Sequence, residues 1–150
     1  MTGRIYHVGH TVSDLDRSVA FYRDILGLDY IGEILMEGEE TDRLFGRKGT
    51  KARVVYLNGS EKADMPPVEL IQFIGTDITL RKANLFTSSI SELCFYTDNI
   101  EKLYEKLRQN NVPCISKPEK FDFTEKGFGK SKAFYCKDPD GIILEIMQPM

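Results

Sequence analysis

Residues 4–22, RIYHVGHTVSDLDRSVAFY, decide how this chain folds. From Ile5 to Val12 the residues are mostly β-branched or aromatic, the composition a strand prefers. Ser13 follows as a candidate helix N-cap, and Asp16, three residues on, completes a capping-box pattern and favours the positive end of the helix dipole. Leu15, Val19, Tyr22, Ile25 and Leu26 then fall at helical spacing on one side, and Gly27 stands where a left-handed C-terminal cap is wanted. The stretch reads as strand, cap and helix. It also carries both histidines of the chain, His7 and His10. Side chains alternate faces along a strand, so His7, Gly9 and Thr11 share one face while Tyr6, Val8, His10 and Val12 share the other.

The same pattern returns at 90–112, ISELCFYTDNIEKLYEKLRQNNV, where Ile100, Leu103, Tyr104 and Leu107 make the apolar side of a second helix. An offset of 85 residues sets Leu15 on Ile100, Ser13 on Asp98, Asp16 on Glu101, Val8 on Leu93 and Thr11 on Tyr96. His10 then falls opposite Phe95, a core-type position beneath the helix, and His7 opposite Glu92 on the other face. After the first helix, strands are expected at 28–35, 51–59 and 68–75, with 36–50 as a polar loop and a Pro-containing turn at 62–67. After the second, strands are expected at 113–118, 130–138 and 142–149, the last two joined by the DPDG turn at 138–141.

The last strands match as well: VELIQF at 68–73 lies over LEIMQP at 144–149, with Glu69 on Glu145, at an offset of 76. The nine-residue difference places a longer loop in the first copy. The expected fold is therefore α+β, two tandem βαβββ modules forming a curled mixed sheet around a central cleft. One domain spans 1–150, with a first module at 4–76, a crossover linker at 77–89 and a second module at 90–150.

Composition bounds the function. The 150 residues are 41% hydrophobic and 29% charged, enough for a core, and the net charge of −3, with acids interspersed among the Lys and Arg, argues against nucleic acid or an anionic membrane as partner. No run of about 18 apolar residues occurs, so a soluble, cytoplasmic protein is expected. Cys94, Cys114 and Cys136 are odd in number and outside any CxxC spacing, which argues against disulfides or a zinc knuckle. Cys94 and Cys136 sit in aromatic strand contexts, where a thiol behaves as a small buried hydrophobe.

Chemistry is sought on the His7 face. Glu69 and Glu145 are embedded in apolar strands, where an ionised carboxylate needs a partner if buried. With His7 and Glu92 they form four groups related by the repeat, which two modules packed about a pseudo-twofold axis would bring into one cleft. A divalent metal would relieve the repulsion of three gathered carboxylates. Imidazole with carboxylates suits Zn, Fe, Ni, Mn or Co, and the excess of carboxylate leans toward Mn or Mg.

The strings HVGHTVSDLDRSVAFYRDILGL, VELIQF, ISELCFYTDNIEKL and AFYCKDPDGIILEIMQ, in this order and spacing, resemble the vicinal oxygen chelate superfamily. This is the group of glyoxalase I, methylmalonyl-CoA epimerase, fosfomycin-resistance enzymes, extradiol dioxygenases and bleomycin-resistance proteins. The resemblance implies paired βαβββ modules and a metal held by one residue from each first strand and one from each last strand. At those positions stand His7, Glu69, Glu92 and Glu145. One departure is plain: the second module begins ELCF where the family has a pattern like HICF. Glu92 is then an oxygen ligand or a base, or the site has lost its metal.

The leading expectation is a metal-dependent isomerase or lyase, of glyoxalase or epimerase type, that abstracts a proton next to a carbonyl while the metal stabilises the enolate. Glu145 is the favoured base, Glu92 the unorthodox one. Thr11, Arg53, Phe73, Tyr96 and Phe128 are the expected substrate-binding residues, with Lys130 and Lys132 as further cations for an anionic substrate. Two alternatives remain. A metal-free binding protein of the bleomycin-resistance kind would hold an aromatic or cationic ligand against Phe73, Tyr96, Phe121 and Phe128. A non-haem iron dioxygenase would need a second cleft-facing histidine. The expected partners are a small molecule and a second copy of the chain.

Overall fold

The computed structural model describes residues 6–59, 67–86, 90 and 92–150. The chain divides into two compact units, Met1–Leu80 and Arg81–Met150. Each is built on a four-stranded mixed sheet, and the fold is α+β with two βαβββ modules.

In the first unit, strand β1 (Val8–Thr11) leads to helix α1 (Leu15–Ala20), then β2 (Asp29–Met36), a short helix α2 (Glu39–Phe45), β3 (Ala52–Asn58) and β4 (Val68–Phe73). The sheet order is β1-β4-β3-β2, with β1 parallel to β4 and the other pairs antiparallel. The second unit repeats this with β5 (Leu93–Tyr96), α3 (Ile100–Gln109), β6 (Glu119–Phe123), β7 (Gly129–Lys137) and β8 (Ile143–Pro149), ordered β5-β8-β7-β6. Residue 5, expected in the first strand, and residues 62–66 of the expected turn lie outside the described residues.

Both helices begin one residue later than expected. Asp14, not Ser13, caps α1 by accepting from the Arg17 amide at 2.9 Å, and Asn99, not Asp98, caps α3 by accepting from the Lys102 amide at 3.0 Å. The shift is the same in both copies, so the 85-residue register survives it. Past Ala20 the first helix widens into a π turn over Phe21–Ile25, closed by the Leu26 amide on the Phe21 carbonyl. Phe21 and Tyr22 are both buried there, with rings edge-on at 5.2 Å, whereas Ile25 and Leu26 are only half-buried. Gly27 ends the helix at φ +85°, as its position demanded.

Two expectations about the connections are corrected. The polar segment 36–50 is not all loop. Its helix α2 is closed by Gly46 in the left-handed region and held from outside: the Asp42 carboxylate accepts the Thr50 amide at 2.7 Å, and Phe45 packs edge-on to Phe73 at 5.2 Å. In the second unit, 113–118 makes only an isolated bridge, Cys114 to Cys136, and the strand comes later, at β6. Every residue of β6 is exposed, so it carries no burial alternation to be read.

The core of each unit lies between sheet and helix. Val12, Leu15, Tyr22, Leu57 and Leu70 are fully buried in the first, and Ile100, Leu107, Leu144 and Ile146 in the second. Each such side chain contributes about 1.5–3 kcal/mol relative to exposure. His10 belongs to this layer, stacked on Tyr22 at 6.4 Å and 25° between planes, and burial lowers its pKa.

The helix side repeats in detail. The Gln72 amide donates to the Ser13 carbonyl at 3.2 Å, and at the equivalent place the Gln148 amide donates to the Asp98 carbonyl at 2.9 Å. Arg53 on β3 pairs with Asp16 in the first turn of α1 at 2.9 Å, as Lys132 on β7 pairs with Glu101 in the first turn of α3 at 2.7 Å.

Candidate functional site

Strand register builds the site in the first unit. Glu69 on β4 lies between two direct partners, Gly9 on the parallel β1 and Tyr56 on the antiparallel β3. All three project from the face away from the helix, and His7, two residues before Gly9, shares it. The Tyr56 hydroxyl donates to Glu69 Oε1 at 2.6 Å, while Glu69 Oε2 lies 3.3 Å from His7 Nε2. The His7 and Tyr56 rings meet edge-on at 5.9 Å. The Glu69 side chain is only 12% exposed, against 36% for His7. A carboxylate so far withdrawn from water needs a donor, and the Tyr56 hydroxyl supplies one. Burial, reinforced by donation to Glu69 and by its charge, pushes the Tyr56 phenol up to about 12, so it stays a proton donor at neutral pH.

Glycine leaves room beside this carboxylate. A Cβ at Gly9 would come within 2.9 Å of Glu69 Oε2. The space above β1 is therefore kept for the oxygen that faces His7.

The second unit carries the counterpart with altered chemistry. Glu145 on β8 lies between Cys94 on β5 and Tyr135 on β7, the same register positions as Gly9 and Tyr56 around Glu69. The Cys94 thiol donates to the Glu145 carboxylate, and it is pushed up to about 12 by burial first, then by that bond and by the charges of Glu145 and Glu92. Tyr135 is also raised, by burial and by the charges of Glu145 and Glu92. The expectation of a buried Cys94 is thus corrected: the residue is exposed, on the face of Glu92 and Glu145, with its thiol on a carboxylate. Cys136 does lie buried in the core.

The fit to a metal can be judged within the first unit. Donor-to-metal distances of about 2.0–2.2 Å place two adjacent ligands of one ion about 3.0–3.5 Å apart. The 3.3 Å between His7 Nε2 and Glu69 Oε2 falls in that range. The pair fits two ligands of one ion. Among the described residues no group of three or more His, Cys, Asp and Glu side chains is gathered as a metal site.

The other expected contacts divide by face. Thr11 and Tyr96 are exposed on the faces of His7 and of Glu92, at matching positions. Phe73 shares Glu69's face but is packed against Phe45. Phe128 is 84% exposed in the β6–β7 turn, and Phe121 stacks on Phe123 at 6.0 Å. Arg53 and Lys132 project from the opposite, helix side and are engaged by acids. Arg53 holds Glu33 at 2.6 Å as well as Asp16. Lys130 pairs with Asp122 at 3.1 Å. Tyr56, Gly9, Cys94 and Tyr135 were not singled out from sequence. An offset of 79 residues sets Tyr56 on Tyr135, which was the available signal.

Residues 4–146 match the model of the Glyoxalase/Bleomycin resistance protein/Dioxygenase superfamily, and the chain belongs to it. The chain is 32% identical over 142 residues to the metallothiol transferase FosB of Staphylococcus epidermidis, covering 95% of this chain and 81% of that one. It is 27% identical over 150 residues to mouse mitochondrial methylmalonyl-CoA epimerase, covering 97% and 73%. A glyoxalase family protein of Bacillus cereus shares the fold at a TM-score of 0.85 and 17% identity, over 100% of this chain and 96% of the other. Leishmania major glyoxalase I shares it at 0.68 and 22%, over 98% and 87%. Among the described residues no helix is long and apolar enough to cross a membrane.

Proposed function

We propose that this protein is a metal-dependent enzyme acting on a small oxygenated molecule, an isomerase or lyase that removes a proton next to a carbonyl. The observation that carries the reading is the His7–Glu69 pair, an imidazole nitrogen and a carboxylate oxygen at 3.3 Å. His7, Glu69, Glu92 and Glu145 are the proposed ligands of a divalent ion, Mn, Mg, Zn, Ni, Co or Fe. When bound, the ion supplies Lewis-acid stabilisation of the negative charge that develops on a substrate oxygen.

The proton-transfer role falls to Glu145, with Glu92 as the second candidate. The Glu145 carboxylate takes the substrate proton, and the Cys94 thiol, itself protonated at neutral pH, orients it through its hydrogen bond. Thr11 and Tyr96 are the proposed substrate-lining residues, with Phe121 and Phe128 as proposed apolar surface; their exposure supports the reading. The same proposal includes a cytoplasmic location and a homodimer, the dimer alone being supported by the edge strands β1, β2, β5 and β6, which offer unpaired edges to a partner. A second reading, transfer of a metal-bound thiol, draws on the 32% identity to the metallothiol transferase.

The test begins with metal analysis of the purified protein and titration of wild type, His7→Ala and Glu145→Ala with manganese, magnesium, zinc, nickel, cobalt and iron. Metal-linked stabilisation of the wild type, weakened in both variants, is expected. The loaded protein is then given small 2-oxo compounds and thioesters in D2O, where exchange of the α-proton, read by NMR and lost in Glu145→Ala, supports the isomerase or lyase reading. Given a small thiol and an electrophilic acceptor instead, formation of the thioether adduct without α-exchange supports the transferase. A wild type that takes up no metal refutes both.

A further inference from the structure

We propose that Tyr56 is a positioning residue that makes Glu69 a one-oxygen donor. The inference deepens the metal-dependent reading and rests on it. A carboxylate has two equivalent oxygens, and a free one can offer either or both to a cation. Here the two are committed differently. Oε1 accepts the Tyr56 hydroxyl at 2.6 Å, a short bond of the charge-assisted kind, and Oε2 faces His7 Nε2 at 3.3 Å.

Three features of the fold enforce the split. Tyr56 and Glu69 are direct partners across β3 and β4, so their side chains stand side by side on one face. The phenol ring is braced by the His7 ring, edge-on at 5.9 Å. Gly9 leaves open the side of β1 on which Oε2 lies, where a Cβ would stand 2.9 Å from it. Tyr56 thus selects which oxygen is offered, His7 supplies the adjacent donor, and Gly9 clears the approach. The arrangement is peculiar to the first unit. In the second, Cys94 occupies the place of Gly9, and its thiol bonds Glu145.

The test uses Co²⁺ as probe on the full chain. Wild type and Tyr56→Phe are titrated by calorimetry and by visible absorption, and their thermal unfolding without metal is compared. A folded Tyr56→Phe that binds Co²⁺ about 10- to 100-fold more weakly, the range typical for loss of an outer-shell partner, with a changed absorption band, supports the inference. Unchanged affinity and unchanged spectrum in the variant overturn it while leaving the metal reading intact. No Co²⁺ binding by the wild type overturns the metal reading and the inference together. If Tyr56→Phe does not fold, the metal-loading infrared difference spectrum of wild type carrying ¹³C-labelled glutamate decides, read against Glu69→Gln to isolate the Glu69 bands. A widened separation of the carboxylate stretches marks one-oxygen binding, and a narrowed separation, marking two-oxygen binding, overturns the proposal.

Discussion

Replacing His10 by Phe should stabilise the protein, and by an amount that grows as the pH falls. His10 sits in the layer between β1 and α1, stacked on Tyr22, and among the described residues its Nε2 is buried without a hydrogen-bond partner. Leaving a buried polar atom unsatisfied costs about 1–3 kcal/mol. The residue at the equivalent point of the second copy is Phe95, so an aromatic hydrocarbon already serves this position once. Phe keeps the stack and removes the orphaned nitrogen, with some of the gain offset by its larger volume. A net gain of about 1 kcal/mol at pH 8 is expected.

The pH dependence follows from burial, which lowers the His10 pKa from its ordinary 6.5. Between the folded and unfolded pKa values the unfolded chain binds the extra proton, so stability rises with pH in that window. The contribution of neutral His10 is complete above 6.5 and is lost as the pH falls below it, at a slope of at most about 1.4 kcal/mol per unit. Phe has no such loss. Urea unfolding of both proteins, followed by circular dichroism from pH 8 to pH 5, should give curves that diverge below pH 6.5. Parallel curves would show that His10 is not held neutral, and a variant less stable at pH 8 would show that Nε2 has a partner worth more than its burial.

Gly9→Ala should leave the unfolding midpoint nearly unchanged but weaken Co²⁺ binding about tenfold or more, since the new methyl meets Glu69 Oε2; calorimetry showing equal affinity would contradict the assigned clearance. Cys94 should react with a maleimide about 30- to 100-fold more slowly at pH 8 than an ordinary thiol, because its thiolate is about a thousandfold scarcer but individually more nucleophilic. Peptide mapping by mass spectrometry reads this rate, and fast labelling would mean that burial and the neighbouring carboxylates do not hold the proton on sulfur. Gln148→Leu removes both the acceptor for the Ile100 amide and the donor to the Asp98 carbonyl, and should cost about 1–3 kcal/mol in urea unfolding. Gln72→Leu, which breaks the bond to the Ser13 carbonyl, should cost less.

What was legible in the sequence is what depends on period. Strand alternation separated His7 from His10 although they lie three residues apart, because an odd spacing sends two side chains to opposite faces. The offsets of 85 and 76 exposed the repeat, because both copies answer to the same helix-capping and burial rules. What was not legible depends on contacts between distant elements. Arg53 looked like a free cation, since nothing local announces acids 37 and 20 residues away. Helix α2 has few apolar residues and is anchored from outside, by Phe73 and Thr50. Tyr56 was passed over because an aromatic residue in a strand is ordinarily core, and only the register opposite Glu69 shows where its hydroxyl goes.

The two copies agree and differ in separate places, and the pattern bears on the division of labour in the proposed site. On the helix side the glutamine latch and the ion pair to the first helical turn recur in both. On the other face the third and last strands also agree, Tyr56 with Tyr135 and Glu69 with Glu145. The differences collect on the first strand: His7 against Glu92, Gly9 against Cys94, Thr11 against Tyr96. Glu69 is thereby held by a phenol, a strong donor, with imidazole beside its other oxygen, while Glu145 is held by a thiol, which donates weakly. A ligand benefits from being fixed and a base from being able to take a proton. Under the proposed function the first-strand substitutions therefore assign anchoring to Glu69 and proton transfer to Glu145, and Cys94→Gly, which removes the thiol's hydrogen bond to Glu145, should alter the rate of α-proton exchange more than the affinity for metal.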